Sequence, residues 1–342
     1  MPKISIHLVV WNGEKYLEDC LNSILEQTYQ DYLLIIIDNG SVDKSVRLIE
    51  NQFLPVFGEK MRLIKNKENL GFARAHNQAI LWTDSDFILV LNQDVILEKN
   101  FLEEVIKFCE QKKNFGSATG KILRWQFELT DDLKKSQKTD IIDSLGLKIF
   151  KSQRTIDIAA GLKDSQEFNS QKEIFGVAAA CAVYSRKAIA DVRYKDEFFD
   201  NDFFSYKEDV DLAYRLQWRN WPSFYLPSAV AYHKRSAKSQ EKLSFFTSLK
   251  LRKNKARFVN YHSYKNHLFV LKKNLGWKNY VHNFFPIFFY ELKKFLYILF
   301  FEWSTLSGLK DYFAKKKKMK EKRKFIMANR LVKDEDIRKW LV

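Results

Sequence analysis

The chain has 342 residues, 46% of them hydrophobic and 29% charged, a normal globular mixture with enough apolar material for one large or two ordinary domains. Cys20, Cys109 and Cys181 lie far apart, which excludes a disulfide framework or a cysteine metal motif; Met1–Trp11 lacks a signal-peptide layout, so a reducing cytoplasm is expected. The formal charge of +16 is uneven: residues 1–233 carry 30 Lys+Arg against 34 Asp+Glu, whereas residues 234–342 carry 28 against 8, a block suited to nucleic acid or an anionic membrane face.

Ile4–Val10 reads as a strand and Glu14–Gln27 as an amphipathic helix. Leu33–Ile37 is a second buried strand ending in Asp38-Asn39-Gly40-Ser41. A helix from about Asp43, a strand near Met61–Ile64, a polar loop Lys65–Leu70 and a helix Gly71–Trp82 follow. Phe87-Ile88-Leu89-Val90-Leu91 is too short for a helix and apolar throughout, as in a central strand of a parallel sheet, and it runs into Asn92-Gln93-Asp94. This βαβαβαβ order predicts a doubly wound α/β sheet whose ligand crevice lies at the carboxyl ends of the strands. Three polar clusters, Trp11-Asn12-Gly13, Asp38–Ser41 and Asn92–Asp94, therefore fall on one edge. Each alone is also ordinary turn chemistry. With Asn69-Leu70-Gly71 at a helix start, where an anion is welcome, they point together to a nucleotide site. Neither GxGxxG nor GxxxxGK[ST] follows the first strand, which disfavours a dinucleotide dehydrogenase and a P-loop kinase. Asp94 is either a turn or cap residue or a ligand for a hard cation on a diphosphate.

After a helix Lys99–Gln111 and a strand ending near Leu123, residues 124–172 read as an irregular polar insertion or lid. Gly176–Ala182 reads as a buried small-residue strand. Five acids then crowd an aromatic stretch, Asp200, Asp202, Glu208, Asp209 and Asp211, leading into a helix Glu208–Arg219. Aromatic walls favour a binding pocket, while helix capping and dipole complementation would explain one such acid but not the cluster. Strands Ser223–Leu226 and Ala229–Tyr232 lead to His233, which alone reads as a structural or surface residue and, at a strand end beside basic residues, as a third metal ligand or a phosphate contact.

Taken together, Val9-Val10-Trp11-Asn12-Gly13, Ile37–Asp43, Asn69–Ala73, Leu91–Val95 and Phe203–Leu212 with Arg215 resemble a family-2 glycosyltransferase of GT-A fold, close to the bacterial rhamnosyltransferase type. The resemblance spans residues 4–235. It implies a mostly parallel mixed sheet in a catalytic domain 1–235, with the nucleotide sugar on 1–123 and the acceptor on 124–235. The implied reaction is inverting sugar transfer from a nucleotide diphosphate, dTDP-rhamnose first and a UDP-sugar second, to a lipid-linked or nascent surface polysaccharide. Asp38 would contact the nucleobase, with Val10, Asn12, Asn69, Gly71 and Asn92 lining the nucleotide pocket. Asp94, helped by His233, would hold Mn²⁺ or Mg²⁺, and Asp209 would be the general base, with Glu208 and Asp211 supporting the base or the acceptor. Two departures stand out: Asn92 occupies the first position of the usual Asp-x-Asp, and Lys207 stands where many relatives have glycine before Glu-Asp.

Residues 241–342 read as helical, aromatic and basic. Tyr280–Phe301 has two apolar halves divided by Glu291-Leu292-Lys293-Lys294, too short and too charged for one span. With Lys315–Lys318 and Lys320–Lys324, it suits either an anchor lying in anionic headgroups or a helical hairpin packed on the catalytic domain. The expected place is the inner face of the cell membrane, with a homodimer as one option. A nucleic-acid-binding protein and a sugar nucleotidyltransferase are the competing readings. The acids at 200–211 disfavour nucleic acid near the sheet's edge, and Ile4–Lys15 lacks the glycine- and arginine-rich loop of the second class.

Overall fold

Ile4–Val10 (β1), Tyr32–Asp38 (β2), Met61–Lys65 (β3) and Phe87–Asn92 (β4) lie side by side and parallel in the order β3-β2-β1-β4. The computed structural model describes residues 2–129, 134–234 and 257–342. The apolar runs form these strands because both faces of the sheet are covered: Ile88, Leu89, Val90 and Leu91 have no exposed surface. The covering helices are α1 (Leu17–Leu25), α2 (the helical segment 45–57), α3 (Phe72–Leu81) and α4 (Phe101–Gln111). Helix α1 is shorter than expected at both ends. The backbone first makes a turn in which the Tyr16 N–H donates to the Gly13 carbonyl, 2.9 Å.

Beyond β4 the sheet becomes mixed. Cys181–Ser185 (β11) pairs antiparallel with β4 and with Ser117–Leu129 (β6), and β6 pairs parallel with Ser223–His233 (β12). The two strands expected at 223–232 are one, interrupted by an irregularity between Leu226 and Val230. Residues 124–172 are not an irregular lid. They continue the sheet through β6, Lys134–Ser144 (β7) and Lys172–Ile174 (β10), and form a small hairpin of Leu147–Ile149 (β8) and Thr155–Asp157 (β9). Their polarity misleads because cross-strand pairing satisfies the backbone while side chains on a solvated ribbon can stay polar. Val95–Leu97 (β5) adds to β12. The expected strand at Gly176–Ala182 is also corrected: Gly176–Ala180 is a loop, and the strand starts at Cys181. Its small residues answer to a neighbouring helix, since a Cβ on Gly176 would stand 2.3 Å from that of Ala213.

Helices Arg186–Val192 (α5) and Glu208–Trp218 (α6) precede β12. The last third is helical: Arg257–Asn274 (α7), Trp277–His282 (α8), Phe284–Phe301 (α9), Ser307–Ala328 (α10) and Asp334–Arg338 (α11). Residues 241–256, expected to be helical, lie outside the described residues, as do Arg235, Ser236 and 130–133 of the charge-rich stretch. One buried cluster crosses the boundary expected at 235. Phe203, Val210, Tyr214 and Trp218 pack with Phe269, Val270, Met319, Ile326, Ile337 and Leu341. Trp218 is fully buried, and its indole N–H donates to the Asn274 carbonyl, 3.0 Å.

Candidate active site

The sheet register brings the first two polar clusters and the third together. Val10 pairs with Asp38, and Val9 with Asn92, so the three strand ends form one edge. Asn12 follows β1 with φ of 49°; its N–H donates to Ser41 Oγ at 3.0 Å, and its Oδ1 accepts from the Val42 N–H at 2.9 Å. Asp38 is 3% exposed and accepts from the Ser41 N–H. Asn69 is turned into its own loop, its Oδ1 accepting from Asn39 Nδ2 at 2.9 Å and from the Gly71 N–H at 2.8 Å. Asn39 is the hub that the residue pattern did not single out: its Oδ1 also accepts from Asn66 Nδ2 and the Leu70 N–H, both at 3.1 Å. Gln93 was likewise missed. Its side-chain amide brackets the Trp11 backbone, at 2.9 Å and 3.1 Å, and lies where a Cβ on Gly13 would stand.

Gly71 joins this edge to the acidic segment. With φ of +83° it adopts a conformation that side chains rarely take, and a Cβ there would meet the Phe204 ring at 2.6 Å. The Ala73 N–H donates to the Phe204 carbonyl, 3.3 Å. A second joint is the Ala179–Ala180 turn. Its Ala180 carbonyl accepts from the Asn92 N–H at 2.9 Å, while its Ala179 N–H donates to Asp209 Oδ2 at 3.4 Å. One turn thus carries the Asp209 carboxyl to the end of β4.

Asp209 and Glu208 occupy the first turn of α6. Burial pushes the Asp209 carboxyl above the ordinary aspartate range, with Asp157 adding to it and the Val210 and Ala179 N–H groups opposing. Glu208 is buried, its Oε2 has no hydrogen-bond partner, and burial followed by the Asp209 charge drives its carboxyl well upward. Both carboxyls are pushed upward, Glu208 the more strongly, which favours Asp209 as the one that ionises first. Asp211 has no exposed surface. It bonds Arg215 Nε at 3.0 Å, Lys273 Nζ at 2.7 Å and Asn274 Nδ2 at 2.7 Å, so it ties α6 to the core from within.

The other two acids of the segment are also built in. Asp200 pairs with Lys273 and with Lys322, the latter at 2.5 Å, and Asp202 pairs with Lys322, Lys318 and Lys315 at 3.0, 2.8 and 3.2 Å. Their partners come from α7 and α10, so part of the basic block neutralises the acidic segment.

At the end of β12, His233 stands between two carboxylates. Nδ1 is 2.9 Å from Asp143 Oδ2, and Nε2 is 3.4 Å from Asp94 Oδ1. Burial would lower its pKa, but Asp94 and Asp143 outweigh it and raise it to about 10. Asp143 lies in the stretch read as irregular and was missed there. Among the described residues no group of three acidic, histidine or cysteine side chains could hold a metal alone. Asp94 offers one carboxylate donor, and His233 a second once its ring gives up the proton that the two carboxylates favour; together they fit a cation that displaces that proton and takes its remaining ligands from a diphosphate and water. A separate cavity of about 310 Å³, lined by Ile149, Ile174, Phe175, Tyr225 and Trp340 among others, includes none of the expected site residues.

Comparison with known proteins matches the profile of Glycosyl transferase family 2 to residues 5–193. The chain belongs to glycosyl transferase family 2. Among similar proteins, an uncharacterized glycosyltransferase of Haemophilus influenzae is 36% identical over 111 residues, covering 32% of this chain and 44% of that one. Poly-beta-1,6-N-acetyl-D-glucosamine synthase of Staphylococcus aureus is 23% identical over 237 residues, covering 67% of this chain and 49% of that one. The chain thus spans less than half the length of these relatives. A crystal structure of GalNAc-T7 with UDP, GalNAc and Mn²⁺ superposes with a TM-score of 0.59 at 11% identity, over 82% of this chain and 49% of that one. The fold is therefore the GT-A type.

The backbone also accounts for the departure at Lys207. Phe204, Tyr206 and Lys207 have φ of 63°, 70° and 65°, the left-handed region in which glycine is at ease. Each costs about 1–2 kcal/mol for a residue with a side chain, so surrounding contacts must hold them there.

Proposed function

We propose that this enzyme transfers a sugar, with inversion, from a nucleoside diphosphate donor to a polysaccharide acceptor. The observation that carries this reading is the Ala179–Ala180 turn, which sets the Asp209 carboxyl at the end of the strand that delivers Asn92. Asp38 would contact the base, with Val10, Asn12, Asn69, Gly71 and Asn92 forming the nucleotide pocket. In the transfer, the acceptor oxygen bonds the anomeric carbon as Asp209 takes its proton, and the bond to the diphosphate breaks with its electron pair leaving on the phosphate. Burial and the Asp209 charge drive the Glu208 carboxyl well upward, which favours its uncharged form and would leave Asp209 as the acceptor. Mn²⁺ or Mg²⁺ held by Asp94 and His233 would offset the charge of the leaving diphosphate. The donor we favour is dTDP-rhamnose, with a UDP-sugar second.

The acceptor we assign is a lipid-linked or nascent surface glycan, met at the inner membrane face. Support comes from α9, where Phe285, Phe289, Phe300 and Phe301 are 68%, 54%, 66% and 73% exposed, with Lys293 and Lys294 on the same helix. Among the described residues no helix is long and apolar enough to cross a membrane. The experiment is nucleoside diphosphate release across a panel of nucleotide sugars with Mn²⁺, Mg²⁺ or chelator, with and without lipid-linked acceptors. Cation-dependent release from one donor supports the reading and names the donor; no release and no donor binding under any condition overturns it.

A further inference from the structure

We propose that Asn266, far downstream on α7, is the positioning residue that holds the base-bearing loop in its working shape. The loop Phe203–Lys207 contains no glycine yet takes three left-handed residues, so something outside it must impose that path. Its carbonyls also need donors. Asn266 Nδ2 shares its two N–H groups among the carbonyls of Phe203 at 2.9 Å, Ser205 at 2.8 Å and Tyr206 at 2.7 Å, joining the Ser205 N–H on the first of them. The residue has no exposed surface, and among the described residues its Oδ1 has no hydrogen-bond partner. Reversing the amide would set that oxygen against three carbonyl oxygens, so the orientation follows from the acceptors.

The rest of the helix face supports the same assignment. The Phe258 ring packs on Tyr206 and Phe204, His262 stacks on Phe204 with centroids 5.2 Å apart, and Phe269 meets Phe203 at 5.8 Å. One turn further, Lys273 and Asn274 bond Asp211. Positions 258, 262, 266, 269 and 273 recur at the three- and four-residue spacing of a single helix face. Most of these contacts grip side chains. Asn266 grips the backbone just before Lys207, and so sets where the first turn of α6 starts and where Asp209 points. This inference rests on Asp209 being the base.

The test compares the full-length wild type with Asn266→Leu, Asn266→Ala and Asn266→Gln by amide hydrogen exchange and by steady-state turnover of the donor that the panel identifies. Leu and Ala are expected to speed exchange in 204–210 by roughly tenfold or more, leaving Ile4–Val10 and Tyr32–Asp38 unchanged. They lower kcat by about a hundredfold, as a small misplacement of a catalytic group does, with donor KM within about threefold. Gln keeps the donor group and recovers part of both. Unchanged exchange in folded Leu or Ala variants overturns the clamp. Faster exchange with unchanged kcat overturns the positioning role. Should Leu and Ala fail to fold, Gln decides: faster exchange confined to 204–210 with a lowered kcat upholds the clamp, and exchange unchanged there, or raised equally in Ile4–Val10, overturns it. A wild type without turnover on any donor defeats the functional reading, and exchange alone then decides the clamp.

Discussion

Lys322 Nζ lies 2.5 Å from Asp200 Oδ1, and the two residues are only 1% and 3% exposed. The pair ties α10 to the acidic segment, and Asp202 and Glu197 share the same ammonium at 3.0 and 2.8 Å. Desolvation alone would penalise every one of these charges; their mutual contacts reverse the sign. Burial pushes Asp200 up, but Lys273 and Lys322 carry it below the usual carboxylate range, while the carboxylates raise Lys322 despite its burial.

Replacing Lys322 by Met leaves two buried carboxylates short of a partner, a loss expected to cost about 3–5 kcal/mol. Urea denaturation near neutral pH checks it. The sign with pH follows from the shifts. A depressed carboxyl adds stability that is full above its unfolded value of about 3.9 and fades below it. A raised lysine adds stability that is full below its unfolded value of about 10.4 and fades as pH climbs through the folded value. The deficit of Lys322→Met is therefore largest between those limits and shrinks as the medium is acidified below about pH 4. A deficit that grows in acid would contradict the assignment.

Asp209→Asn keeps the shape of the site and removes the proton acceptor. Turnover is expected to fall by about 10²–10⁴-fold with donor affinity nearly unchanged, read by nucleoside diphosphate release and by calorimetry with the donor. In the wild type the base works only when ionised, and burial raises its pKa. The rate should thus fall with acidification at a pH above the ordinary aspartate value, and a limb at or below that value argues against a buried base.

Asp94→Asn weakens the charged donor beside His233 while preserving its size. The expected result is a higher Mn²⁺ concentration for half-maximal rate, by tenfold or more on the order of one lost charge-assisted contact. A titration of rate against Mn²⁺ at saturating donor measures it. Equal metal requirement in variant and wild type would remove Asp94 from the cation site.

Phe285→Glu with Phe289→Glu places two charges on the exposed face of α9. Each buried Phe contributes about 1.5–3 kcal/mol, so binding to vesicles containing anionic lipid should drop by more than tenfold. Flotation reads the loss, and sedimentation of the wild type without lipid tests whether the same face instead pairs two copies of the chain. Undiminished flotation of the double variant excludes α9 as the anchor.

How far these features were legible in the residues depends on how local their causes are. The run Phe87–Leu91 and its polar end announced β4 because burial on both faces leaves an unmistakable apolar signature. The edge formed by Val10, Asp38 and Asn92 followed from βαβ topology alone. Asp143 could not be read, because its meaning arises only when β7 brings it to His233, whose own position is set by β12. The ion partners of Asp200, Asp202 and Asp211 were hidden for the same reason. A cluster of five acids looks like a ligand site until lysines from α7 and α10 are seen to fill three of them.

That dependence on α7 and α10 sets an order in time. Synthesis runs from the N-terminus at roughly 5–20 residues per second, so Asp200 leaves the ribosome on the order of ten seconds before Lys322. During that interval Asp200 can meet at most Lys273 of its two lysine partners, and Asp202 still lacks Lys315, Lys318 and Lys322. The sheet can assemble early, but the acidic segment must wait, hydrated and open. A half-made chain therefore lacks the ion pairs that fix Asp200 and Asp202 until α10 has been made.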